Sequence, residues 1–275
     1  MFTEQNLRGV IVPIVTPFDY SGHLDLLSFE EMVSRLVDKG IRGVVVNGTP
    51  AESPFVEIGE LELLVKSARS ALGSVPLIVN TGSSSSAEDA VNQIVWAKSL
   101  GVDAVLAAPP VDGLHSQLAI IEHYDALSQA RLPVILDDRY RSSHASLTLE
   151  TIQAIMERPH MVGMNERTAD YKRNFKLART MKKPVLCGDD ELFFASLCCG
   201  AKGGIVTSAN LDSDQFVTVY ELYQAGQIEQ ANELFNRLLP LVQFLTSEPD
   251  PAPLRWLLAE RGHIRSDQAR SSRGA

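Results

Sequence analysis

Short, continuously apolar runs alternate with amphipathic segments from near the start of the chain to about residue 225. The apolar runs are GVIVPIV (9–15), GVVVNGT (43–49), PLIVNTG (76–82), AVLAAPP (104–110), PVILDD (133–138), MVGMNE (161–166), PVLCGDD (184–190) and GGIVTSAN (203–210). Each has the length and β-rich character of a parallel strand covered on both faces. Between them, segments such as SFEEMVSRLVDKG, AEDAVNQIVWAKSLG and TLETIQAIMER repeat apolar residues at helical spacing. Gly40, Gly73 and Gly101 fall where those helices should stop. Ser85, with Glu88 three residues on, reads as a capping box.

Eight strands in eight βα units predict a closed (β/α)8 barrel, the TIM-barrel architecture. No G-x-G-x-x-G follows any strand, which argues against an open doubly wound sheet. After the eighth unit, QIEQANELFNRLLPLVQFLTS and PAPLRWLLAERG supply more helix than barrel closure needs. The expected organisation is one domain. Residues 1–225 form the barrel, 226–262 form helices packed on its outside, and 263–275 form a polar, disordered tail.

Composition narrows the function. A net charge of −9 lacks the basic footprint of a nucleic-acid binder. The N-terminal stretch has no signal-peptide pattern and no run is long enough to span a bilayer, so no membrane partner and a cytoplasmic location are expected. Three cysteines, Cys187, Cys198 and Cys199, form no disulfide framework.

In such a barrel, chemistry sits at the carboxyl ends of the strands. Strand alternation puts Asp137 in phase with Ile135 and Asn165 in phase with Gly163, so both should point into the barrel mouth from neighbouring strands. A carboxamide nitrogen is not a nucleophile; Asn165 can only hydrogen-bond, and burial requires that it do so, to Asp137, Thr49 or water. Asp137, Asp138, Glu52, Glu166, Asp189 and Asp190 suggest an acidic mouth. That mouth could hold a divalent cation, or its carboxylates could be loop caps and ion pairs with Arg139, Arg141 and Arg167. His144 reads as a surface loop residue.

GVIVPIVTPF at strand 1, NGTPAES after strand 2, GDD and GGIVTSAN at strands 7 and 8, and EPDPAPLRWLLAERG near the end fall in an ordered series. In that order they resemble the dihydrodipicolinate synthase and N-acetylneuraminate lyase group of pyruvate-dependent class I aldolases, from about residue 8 to residue 262. The resemblance implies a Schiff-base lysine at the end of strand 6, where this chain has Asn165 in Gly163-Met164-Asn165-Glu166. It implies a proton-relaying tyrosine at Asp137 and a second tyrosine, offered across a subunit contact, at Val111. Of the hydroxyl pair after strand 2, Thr49 remains and Pro50 replaces its partner. The carboxylate-binding arginine falls near Arg141, with Ser142 at the aligned position. Ligand-facing positions are thus Thr49, Pro50, Arg141, Gly188 and Ile205.

The resemblance, with these replacements, leads to the expectation of a pseudoenzyme. It would bind a small 2-oxo acid or regulate assembly, without cofactor or metal. Lysine-bearing relatives also carry Glu166 and Gly188-Asp189-Asp190 and need no metal. The rival readings are a Schiff-base-independent lyase or hydratase acting through Asp137, and an interaction protein in a mixed oligomer with an active relative. The family resemblance makes a homo-oligomer, dimer or tetramer, the default assembly.

Overall fold

Every predicted apolar run contains a strand. The computed structural model describes residues 2–270 except 83, 85, 111–115, 139–146, 169, 249 and 250. The strands are β1 (Gly9–Pro13), β2 (Gly43–Val46), β3 (Leu77–Gly82), β4 (Ala104–Ala107), β5 (Val134–Asp138), β6 (Met161–Glu166), β7 (Val185–Cys187) and β8 (Gly203–Ile205). They form a closed barrel in chain order. The helices following the strands are α1 (Leu26–Asp38), α2 (Ile58–Leu72), α3 (Ala87–Ser99), α4 (Gln117–Leu127), α5 (Leu149–Met156), α6 (Tyr171–Thr180), α7 (Phe193–Cys199) and α8 (Ala209–Gln224). Two more, α9 (Ile228–Leu245) and α10 (Ala252–Glu260), complete the α-helices among the described residues.

The strands are shorter than the apolar runs because their last residues turn into loops; Thr207 and Ser208, for example, lead directly into α8. Gly40, Gly73 and Gly101 all take positive φ just past α1, α2 and α3, the role their spacing predicts. The cap of α3 differs from expectation. Ser86, not Ser85, is the N-cap, its side chain accepting from Asp89 N at 3.1 Å. Ser85 lies outside the described residues.

The chain groups into two compact units. One comprises residues 1–8 and 78–205, the other residues 9–77 and 206–275. In the first, β5 pairs with β6 in a register that sets Asp137 opposite Asn165 and Asp138 opposite Glu166. A side chain on Gly163, two residues before Asn165, would strike Leu7 Cδ1 and Pro184 O. The inward phase of β6 is therefore filled from below by the N-terminal segment.

In the second unit, α9 packs on α8, and α10 packs on both. Arg255 of α10 is fully buried. It pairs with Glu52 and donates to Thr16 O at 2.7 Å, just beyond β1. Residues 263–270 depart from the expected disorder. Ile264 and Ser266 are buried, and Arg270 donates to both Glu60 carboxylate oxygens at 2.6 Å while lying over the Phe18 ring at 4.2 Å. A polar segment is ordered here because its guanidinium finds a carboxylate and an aromatic face together.

Candidate active site at the ends of the fifth and sixth strands

The Asp137 and Asn165 side chains meet, as alternation predicts. Asn165 Nδ2 donates to Asp137 Oδ1 at 2.9 Å. Asp137 is 0% exposed and Asn165 2%. Asn165 Oδ1 is buried without a hydrogen-bond partner, which leaves one acceptor of the carboxamide for a ligand group or water. Gly188, just past β7, forms the wall beside it. A methyl group there would come within 2.6 Å of Asn165 Oδ1 and 2.9 Å of Nδ2, and would overlap the stem of Arg167. Gly188 N donates to Glu166 O at 2.7 Å, fixing this close approach. Only a residue without Cβ fits.

The acidic mouth expected from the sequence separates into distinct environments. Asp138 and Glu166 have the opposite phase from Asp137 and Asn165 and meet Arg173 of α6 on the helix side of the sheet. Arg173 Nη2 is hydrogen-bonded to Asp138 Oδ2, and its Nε lies 3.6 Å from Glu166 Oε2. Its Nη1 donates to Leu147 O at 2.7 Å, and Thr168 N donates to Glu166 Oε1 at 2.9 Å. Burial, reinforced by the neighbouring Asp138 charge, pushes the Glu166 carboxyl up to about 7. Burial also raises Asp138 above the usual carboxylate range, against the pull of Arg173. The cation expected for these carboxylates was Arg139, Arg141 or Arg167; the sequence reading missed Arg173. Asp170 caps α6 and puts Arg173 in its first turn, but which carboxylates the guanidinium meets depends on how the helix docks.

Asp189 caps the short turn Asp190–Leu192 by accepting from Glu191 N at 3.0 Å, and Asp190 is buried. The Cys187 thiol, opposite Glu166 in the β6–β7 register, is pushed by burial up to about 12 and is neutral. Ile205 closes β8 and is buried. Among the described residues, no group of three or more His, Cys, Asp or Glu is arranged to hold a metal ion.

Thr49 and Pro50 belong to the second unit, in the turn Thr49–Ala51 after β2. Thr49 is exposed and Pro50 buried. Asn47 and Glu52 bracket this turn in left-handed conformations, φ 63° and 51°. Such strain in non-glycine residues persists only where surroundings impose it; Arg255 and the backbone N–H of Arg270, 2.8 Å from Glu52 Oε2, do so at Glu52. Val111, Arg139, Arg141, Ser142 and His144 lie outside the described residues.

The sequence has eight lysines, and none stands at the carboxyl end of a strand. Lys39 follows α1, and Lys66 and Lys98 lie in α2 and α3. Lys172 and Lys176 are exposed on α6. Lys182, Lys183 and Lys202 precede β7 and β8, at the opposite end of the strands.

The fold is a (β/α)8 barrel with a buried polar pair at the carboxyl ends of β5 and β6. Residues 6–273 match the dihydrodipicolinate synthetase family. The chain is 32% identical to the 4-hydroxy-tetrahydrodipicolinate synthase of Herminiimonas arsenicoxydans, covering 94% of this chain and 90% of that one. The chloride-inhibited dihydrodipicolinate synthase of Acinetobacter baumannii, complexed with pyruvate, superposes with a TM-score of 0.91 at 30% identity, covering 96% of this chain and 92% of that one. A monomeric dihydrodipicolinate synthase variant gives 0.91 at 29% identity, over 96% and 90%. The chain belongs to the dihydrodipicolinate synthetase family. No helix among the described residues is long and apolar enough to cross a membrane.

Proposed function

We propose that this family member has given up imine chemistry and keeps the ends of β5, β6 and β7 as a non-covalent binding site for a small 2-oxo acid such as pyruvate. The observation that carries the reading is the hydrogen bond from Asn165 Nδ2 to Asp137 Oδ1 at 2.9 Å. Imine formation needs an amine lone pair; a carboxamide has none to give, and this one is committed as a donor. Asp137 correspondingly acts as an acceptor, not as a hydroxyl relaying protons. No other lysine takes the position at a strand end.

The replacements at Pro50 and Val111 support the same reading. Pro50 supplies neither a hydroxyl nor a backbone donor, and a valine at 111 cannot relay a proton. Family membership and the pyruvate bound to the Acinetobacter baumannii relative support this ligand class. Within the site, the narrow wall at Gly188 favours a small ligand, and the unpartnered Asn165 Oδ1 would accept from a water that bridges to the oxo acid. In the same proposal the chain acts as a regulatory subunit, as a homo-oligomer or with an active relative. Isothermal titration with pyruvate, alongside an aldol condensation assay, tests it: saturable binding without turnover is expected. Turnover that Asn165→Ala abolishes would overturn it.

A further inference from the structure

Behind the Asp137–Asn165 pair, the next residues of the same two strands form a second pair. Asp138 and Glu166 face each other in the β5–β6 register and are 1% and 0% exposed. Two buried carboxylates share one guanidinium, that of Arg173. Among the described residues, Cys187 on β7 lies opposite Glu166 and is neutral, and the charge of Asp137 acts on Asp138 from the next position along β5. With both acids ionised, the cluster would carry an uncompensated negative charge away from water, a costly state that a proton relieves. The oxygens left over support this count: Asp138 Oδ1 and Glu166 Oε2 are both buried without hydrogen-bond partners.

We propose that Asp138, Glu166 and Arg173 form a proton-linked clamp, in which uptake of one proton by the pair of carboxylates sets the spacing of the β5 and β6 ends and thereby positions Asp137 and Asn165. The mechanical link is one residue long on each strand. Asp138 directly follows Asp137, and Glu166 directly follows Asn165. Arg173 also holds Leu147 O, so the clamp ties the start of α6 to the segment leading into α5. Loss of the proton strengthens attraction of both carboxylates to Arg173 while adding repulsion between them. Because the two carboxylates sit opposite each other in the β5–β6 register, a change in their repulsion acts on the spacing of the strand ends. The proton belongs to the pair, since groups this close titrate as a unit.

The clamp deepens the proposed function, on which it rests only for its consequence for ligand binding; its test needs no ligand. The probe is the side-chain amide resonance of Asn165, assigned by its disappearance in Asn165→Ala and followed by NMR through the neutral pH range. In the unmodified chain it should show one inflection near neutrality. That inflection should vanish in Glu166→Gln, which fixes the neutral form, and in Asp138→Asn, which leaves one carboxylate for one guanidinium. A flat Asn165 signal in the unmodified chain would overturn the clamp. So would an inflection unchanged in both variants, since neither carboxylate of the pair would then be its source. Failure to bind pyruvate would count against the proposed function and leave this result standing on its own.

Discussion

Replacing Arg255 with methionine should unfold the second unit's anchorage while leaving apolar volume nearly intact. Arg255 is fully buried, pairs with Glu52, donates to Thr16 O at 2.7 Å and to Gln268 O at 3.1 Å, and lies 5.2 Å from the Phe18 ring. Methionine fills the space of the stem but strands the Glu52 carboxylate, which is 5% exposed. Removing one partner of a buried ion pair costs about 3–5 kcal/mol. The N–H of Arg270 on Glu52 Oε2 offsets part of this, so the lower end is expected. At about 2–4 °C per kcal/mol for a chain of this size, the melting temperature should fall on the order of 10 °C. Urea unfolding at fixed pH measures the free energy, and the double variant Arg255→Met/Glu52→Gln isolates the pair. Because the second change removes the stranded charge, the double variant should be more stable than Arg255→Met alone by at least about 1 kcal/mol. A loss below about 1 kcal/mol in the single variant, or simple additivity in the double, would refute the reasoning.

Stability should also depend on pH through Glu166. Its carboxyl stands at about 7 in the folded chain against an ordinary 4.5, so the folded state holds the proton more tightly. The associated stability is complete below about pH 4.5 and is lost as pH rises through about 7, on the order of 3 kcal/mol in all; Glu166→Gln should flatten the urea-midpoint profile across that window, and an unchanged slope would remove Glu166 as its source. Gly188→Ala should cost about 1–3 kcal/mol by overpacking and weaken pyruvate binding, because the new methyl enters the space of Asn165 and Arg167; unaltered affinity by titration calorimetry would show that this wall does not shape the site. Asn165→Lys alone should not gain aldol turnover, since Asp137 and Val111 supply no proton relay; robust condensation activity in that variant would contradict the roles given to both positions.

Much of this could be read from the chain, and the rest divides by range. β5 and β6 were legible because Val134–Leu136 and Met161–Met164 are continuously apolar, and the two-residue period then paired Asp137 with Asn165. The same period forbids Asp137 and Asp138 from facing one way, so the single acidic mouth was a misreading that alternation could have prevented. Arg173 escaped notice because its contact with Asp138 and Glu166 depends on how α6 docks against the sheet. Arg270 sits in a run, SDQARSSRGA, that looks merely polar. Its partners Glu60 and Phe18 are far away in sequence, and nothing local announces them. Asn165 was the opposite case: the two-residue period alone set it beside Asp137, where the two side chains meet.

The central claim is that no covalent pyruvate intermediate forms on this chain. Incubation with pyruvate and borohydride, followed by intact-mass measurement, would reduce any imine to a stable secondary amine and retain it. The account predicts an unmodified mass with pyruvate and borohydride present, and an adduct in a lysine-bearing relative treated in parallel. A single reduced-pyruvate increment on this chain, mapped by peptide mass to any of its eight lysines, would contradict it.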